Sequence, residues 1–121
     1  MTINIIKLND ENIVEITRNG IFLTNTEDAM QLMMDCKYEH QAYKAIFYQE
    51  NITPDFFELK TKLADEMLQK FTQYGFEIAI VGDFRVYESK SLNDFIFESN
   101  KAGKFIFVAT KDEALSRWNI A

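Results

Sequence analysis

Three short segments, Tyr43–Tyr48, Ile78–Val81 and Phe105–Val108, are apolar with no period-two alternation of polarity. That is the pattern of strands covered on both faces. Two further segments, Ile3–Leu8 and Asn12–Thr17, are rich in β-branched residues and are separated by a polar run ending at Asn12, which predicts a hairpin. Arg18-Asn19-Gly20 predicts a second turn, and Ile21–Leu23 a short strand or a packed loop. Between the strands the apolar period changes from two to helical. Thr26 is the expected cap of a first helix, with Glu27 and Asp28 in its first turn and Ala29, Met30, Met33 and Cys36 as its buried stripe. Thr53 and Pro54 predict the start of the longest helix, whose inner face is Phe56, Leu59, Leu63, Met67, Phe71 and Tyr74, with Gly75 as its left-handed cap. Ser91 and Asp94 resemble a capping box for a third helix that ends at Gly103, and Thr110–Glu113 opens a last one through Trp118. The resulting order, β-β-α-β-α-β-α-β-α, predicts a single α/β domain over residues 1–121. Its central sheet is mostly parallel, joined by right-handed crossovers, with the antiparallel N-terminal hairpin at one edge.

Composition sharpens this picture. Hydrophobic residues make up 47% of the 121, and eleven Phe with five Tyr predict an aromatic core that includes Phe71. A chain of this length buries roughly two-thirds of its unfolded surface, enough to fold without metal or disulfide. Cys36 is the only cysteine, so no intrachain disulfide is possible. The net charge of −6 disfavours nucleic acid and anionic membrane surfaces as partners. No apolar run approaches the ~20 residues that span a bilayer. The first residues place no basic region ahead of an apolar stretch, so a signal peptide is not expected and a cytoplasmic location is.

Chemistry is sparsely signalled. If the strands ending at Tyr48 and Val81 are parallel neighbours, Glu50 and Asp83 emerge on the sheet edge where open α/β folds bind ligands. Two carboxylates there could divide acid and base roles; equally, each could accept hydrogen bonds from loop N–H groups. Asn51 and Thr53 belong to the same edge. Ser89, Lys90 and Ser91 precede a helix start, where free N–H groups and a lysine could hold a phosphate or carboxylate. Gly82 stands alone, without the glycine-rich pattern of a nucleotide site. With one histidine, His40, and one thiol, no metal site and no cofactor are expected. Tyr87 and Phe97 fall off the predicted core stripes and are candidate interface residues.

The segments Glu50-Asn51-Ile52-Thr53-Pro54-Asp55-Phe56-Phe57, Gly82-Asp83-Phe84 and Ser89-Lys90-Ser91-Leu92, continued by Asp94-Phe95-Ile96 and Glu98-Ser99-Asn100, resemble a bacterial family described only as a domain of unknown function, 4180. The element order also resembles STAS domains of sulfate transporters and anti-sigma-factor antagonists. Antagonists of that type carry an Asp-Ser-Ser/Thr-Gly-like run that is phosphorylated. Here Pro54-Asp55-Phe56-Phe57-Glu58 offers Asp55 but neither the serines nor the glycine. The favoured reading is a non-catalytic regulatory or protein-interaction module of STAS-like build, acting on a protein partner or a second copy of itself. The alternative is a domain that binds a small anionic ligand at Glu50, Asp83 and Ser89–Ser91. An acid–base enzyme using Glu50 and Asp83 is the third.

Overall fold

The computed structural model describes residues 2–119. Its strands are β1 (Thr2–Leu8), β2 (Glu11–Thr17), β3 (Ala42–Tyr48), β4 (Glu77–Val81) and β5 (Phe105–Val108), and its helices α1 (Thr26–His40), α2 (Leu63–Gln73), α3 (Lys90–Ala102) and α4 (Lys111–Trp118). The five strands form one sheet in sequence order, β1-β2-β3-β4-β5, with β1 and β2 antiparallel and every other pair parallel. Helices α1, α2 and α3 connect successive parallel strands and contribute to one core on the same face of the sheet. This follows from three crossovers of one hand that each step to the adjacent position. The opposite face is covered by α4, which buries Ala114 against Ile106 and Val108.

The strand residues explain why the pattern lacked alternation. Along β3, Ala45 and Phe47 enter the three-helix core while Ile46 enters the core under α4. From Ala45 and Ile78 onward both faces of the central strands are therefore dry and apolar residues serve on each, while Lys44 and Glu77 lie at the strand starts, where Lys44 pairs with Glu11. Phe71 of α2 is 1% exposed and lies among Phe47, Phe76 and Phe105 at centroid distances of 6.4, 5.7 and 6.5 Å. The single α/β domain and its antiparallel hairpin edge are as the sequence predicts.

Three details differ from the sequence expectation. The segment after Thr53 is not one long helix. Pro54–Phe57 and Leu59–Thr61 are short 3-10 turns, Lys62 is left-handed at φ 64°, and only then does α2 begin, so α1 is the longest helix. Adjacent Phe56 and Phe57 are both buried, one against Phe107 and the other against Phe84 and Tyr87. Neighbours on a 3-10 turn point about 120° apart, and both rings are buried because the turn is covered on two sides, by Phe107 on one and by Phe84 and Tyr87 on the other. The Thr61 hydroxyl donates to the Asp55 and Glu58 carbonyls and accepts from Leu63 N–H, taking up groups that a continuous helix would pair. Second, Asn25 rather than Thr26 caps α1, its Oδ1 accepting from Asp28 N–H at 2.8 Å. Third, Ser89 rather than Ser91 caps α3, its Oγ accepting from Leu92 N–H at 3.1 Å. Thr53 does cap the turn that follows it, and Gly75 and Gly103 adopt the expected left-handed conformations.

Candidate functional site

Strands β3 and β4 end side by side, with Tyr48 in register with Val81, and the chain leaves both at the carboxyl edge of the sheet. Beyond Tyr48 the turn Gln49–Asn51 folds back over the end of β4. Gln49 Oε1 accepts from Asp83 N–H at 2.7 Å, and its Nε2 donates to the Tyr87 hydroxyl at 3.1 Å. Gly82 makes room for this brace, because a Cβ there would lie 2.5 Å from Gln49 Cβ. The ring of Tyr87 stacks on Phe57 at 4.9 Å. Asn51 is buried and donates from Nδ2 to the Arg18 and Gly20 carbonyls at 2.7 and 2.8 Å, pinning the loop that carries Ile21. Parallel bridging of Leu23 to Ile52 completes the attachment.

Beside these braces lies an open cleft of about 490 Å³. Its walls are apolar at Ile21, Ile52, Pro54 and Val81, and aromatic at Tyr48 and Tyr87; Gln49 and Gly82 form its back and Glu50 its charged side. Glu50 is the one charged side chain among the described residues that line it.

The other sequence-predicted site residues lie elsewhere. Asp83 lines a neighbouring depression with Arg85 and Glu113, which shares only Gly82 with the cleft. Its carboxylate caps the Phe84–Tyr87 turn, accepting from Arg85 N–H, and pairs with the Arg85 guanidinium at 2.8 and 2.9 Å. Hydrogen bonds from the Arg85 side chain and then its backbone hold the Asp83 carboxyl down at about 2, so it stays an anion at neutral pH. Ser89, Lys90 and Ser91 line neither depression; Ser89 is spent as a cap and Lys90 pairs with Asp94 at 3.0 Å. Asn51 is a brace and Thr53 a cap. Tyr87 belongs to the cleft wall, while Phe97 stands on the outer side of α3, 66% exposed.

One cluster near the cleft centres on Glu15, which the sequence reading does not single out. Glu15, in the buried run of β2, is 6% exposed. It accepts from the Tyr48 hydroxyl at 2.5 Å and from Asn4 Nδ2 at 3.1 Å, and lies 3.5 Å from Lys111 Nζ at the start of α4. Burial alone would raise the Glu15 carboxyl, but the hydrogen bonds from Tyr48 and Asn4 and the Lys111 ammonium outweigh it and hold it below its ordinary 4.5. Burial, followed by the Glu15 hydrogen bond and charge, pushes Tyr48 up to about 12. The group therefore fixes Tyr48 as a neutral phenol in the cleft wall. A lone charge inside Ile13–Ile16 was the available clue, because a solvent-facing residue is not expected in a strand covered on both sides.

Because the folded state lowers the Glu15 value, its stabilisation is complete above 4.5 and is lost as pH falls through the folded value. Glu15→Gln is expected to reduce the unfolding free energy at neutral pH by about 1–3 kcal/mol and to flatten its decline on acidification. Urea titrations from neutral to acid pH measure both. An acid decline as steep in the variant as in the parent would assign it to other carboxyls.

Among the described residues, no group of three or more His, Cys, Asp or Glu is placed to hold a metal ion. Cys36 is buried in the three-helix core, and burial, aided by Asp35 and Glu39, pushes its thiol up to about 12, far from a reactive thiolate. Among the described residues, no helix is long and apolar enough to cross a membrane. No curated protein and no solved structure matches this chain. A family model does, over residues 8–118, from the end of β1 to the end of α4. With β2 to β5, the braces and the cleft all inside that span, the chain belongs to the family described as Domain of unknown function (DUF4180).

Proposed function

We propose that this domain is a non-catalytic binding module whose cleft takes a small organic cation, an amine attached to an apolar body. The observation that carries the reading is the lining itself: apolar and aromatic walls with Glu50 as their only charge. A carboxylate at the rim of an apolar pocket orients an ammonium group, and flanking aromatic rings attract it further. The same lining repels phosphates and carboxylates, which moves the reading away from an anionic ligand. Acid–base catalysis needs two carboxyls with separated proton affinities facing one substrate. Asp83, anionic and paired with Arg85 outside the cleft, does not supply the second. The likeness of element order to STAS domains supports a regulatory setting for such binding. A phosphorylation switch of that kind draws no support from Pro54–Phe57, where the two phenylalanines are core residues.

Aliphatic and aromatic amines are expected to raise the melting temperature of the parent protein, since a ligand of the native state stabilises it by about 2.7 kcal/mol at a hundredfold excess over its dissociation constant. Glu50→Gln, at an exposed position, is expected to keep the fold and lose the response. A shift produced by phosphates or dicarboxylates, or one that survives Glu50→Gln, would overturn the reading.

A further inference from the structure

The two edges of the sheet are treated differently. At β5 the outer backbone is plugged by side chains from α3. Asn100 Nδ2 donates to the Phe107 carbonyl at 3.1 Å while its Oδ1 accepts from Phe107 N–H at 2.7 Å, and the Ser99 hydroxyl donates to the Phe105 carbonyl at 2.5 Å. That edge is also only four residues long. Strand β1, at the other edge, spans seven residues in unbroken register with β2, without proline or bulge. Among the described residues no side chain bonds its backbone, so its outward N–H and C=O groups face solvent. Long, flat, unguarded edges are what folded proteins otherwise avoid, because they template pairing with another strand.

The side chains of β1 say what such a strand would be. Ile3 and Ile5 project from the helix-bearing face, opposite Ile16 and Val14 of β2, yet stay 42% and 43% exposed because α1 packs further in, on β2 and β3. The strand has no acidic residue and one lysine, in a chain of net charge −6, so it is a place where two copies can meet without opposing carboxylates. Its pattern is also self-complementary. Antiparallel pairing about a two-fold axis at Asn4 sets each Ile3 opposite the other copy's Ile5, forming an apolar ladder of isoleucines. The two Lys7 side chains then lie about 20 Å apart at opposite ends.

We propose that this chain forms a two-fold dimer by antiparallel pairing of β1 with β1 about Asn4, which joins the two sheets into one. The proposal is independent of the cleft reading, since β1 contributes no residue to the cleft lining. Sedimentation equilibrium of the full chain across the micromolar range is expected to show a species of twice 14.2 kDa. Replacing the two exposed residues together, Ile3→Lys with Ile5→Lys, is expected to abolish the dimer and leave the circular dichroism unchanged. In a separate variant, Asn4→Cys, mild oxidation is expected to link two chains through residue 4, Cys36 being buried, whereas Thr17→Cys is expected not to link them. A monomer at every concentration overturns the proposal. So does a dimer that survives the two lysines, or one that fails to cross-link at residue 4, because either puts the contact elsewhere.

Discussion

Phe71→Ala is expected to lower the free energy of unfolding by about 3–5 kcal/mol, the range for truncating a fully buried aromatic. Phe71 lies where α2 meets the sheet, with Phe47 of β3, Phe105 of β5 and Phe76 of the α2–β4 connection around it. These neighbours are anchored in different elements, so no single side chain can swing in to fill the space. Alanine therefore loses both the transfer free energy of the ring and the dispersion contacts of the cavity lining. Against a typical total of about 5–15 kcal/mol, this leaves a protein with a small remaining margin. The measurement is a urea denaturation midpoint with the slope held free. A midpoint within error of the parent would mean that the ring is not part of the cooperative core.

The second large effect is expected at Gly82, for a steric reason. Gly82→Ala puts a methyl group 2.5 Å from Gln49 Cβ, so either the turn after β3 or the end of β4 must move. Either movement breaks the hydrogen bonds from Gln49 to Asp83 N–H and to the Tyr87 hydroxyl, which close the back of the cleft. A loss of about 1–3 kcal/mol is expected, as for other overpacked sites. The cause can be isolated by a double-mutant cycle. In a Gln49→Gly background the obstructing Cβ and the atoms beyond it are gone, so Gly82→Ala should cost measurably less than in the parent. Equal costs in the two backgrounds would place the strain in the backbone of residue 82 rather than in its meeting with Gln49.

Legibility in the sequence followed the physics of each element. The central strands could be read because burial on both faces leaves a long apolar signature that few other elements share. The left-handed caps at Gly75 and Gly103 could be read because glycine relieves a steric constraint there. The break at Lys62 could not, since the apolar spacing from Phe56 to Tyr74 suits one helix and the interruption depends on Thr61 bonding carbonyls three and six residues back. Caps at Asn25 and Ser89 were displaced by one and two residues because Thr26 and Ser91 have the same local chemistry as the residues that actually cap. For the site, the sheet edge and Glu50 were legible from strand order. The separation of Asp83 was not, because it turns on the Arg85 side chain two residues away folding back onto it. Gln49, the residue that shapes the cleft, has no sequence signature at all. Its role exists only through three groups brought beside it by the fold.

The strands lie across the sheet in the order in which they occur along the chain, and this bears on how the molecule can assemble. No strand has to be threaded between two already paired, and each parallel pairing closes a single helical connection. The hairpin can form first, and β3, β4 and β5 can then add in turn to one growing edge, each on a surface already complete. Each closure spans one helical connection and no more, and because the entropic penalty grows with loop length this is a smaller penalty than an order that skipped positions would carry. A ribosome releasing the chain from its amino end would present the strands in that same order, so that each apolar segment meets its neighbour soon after it appears and spends little time as a bare, aggregation-prone strand.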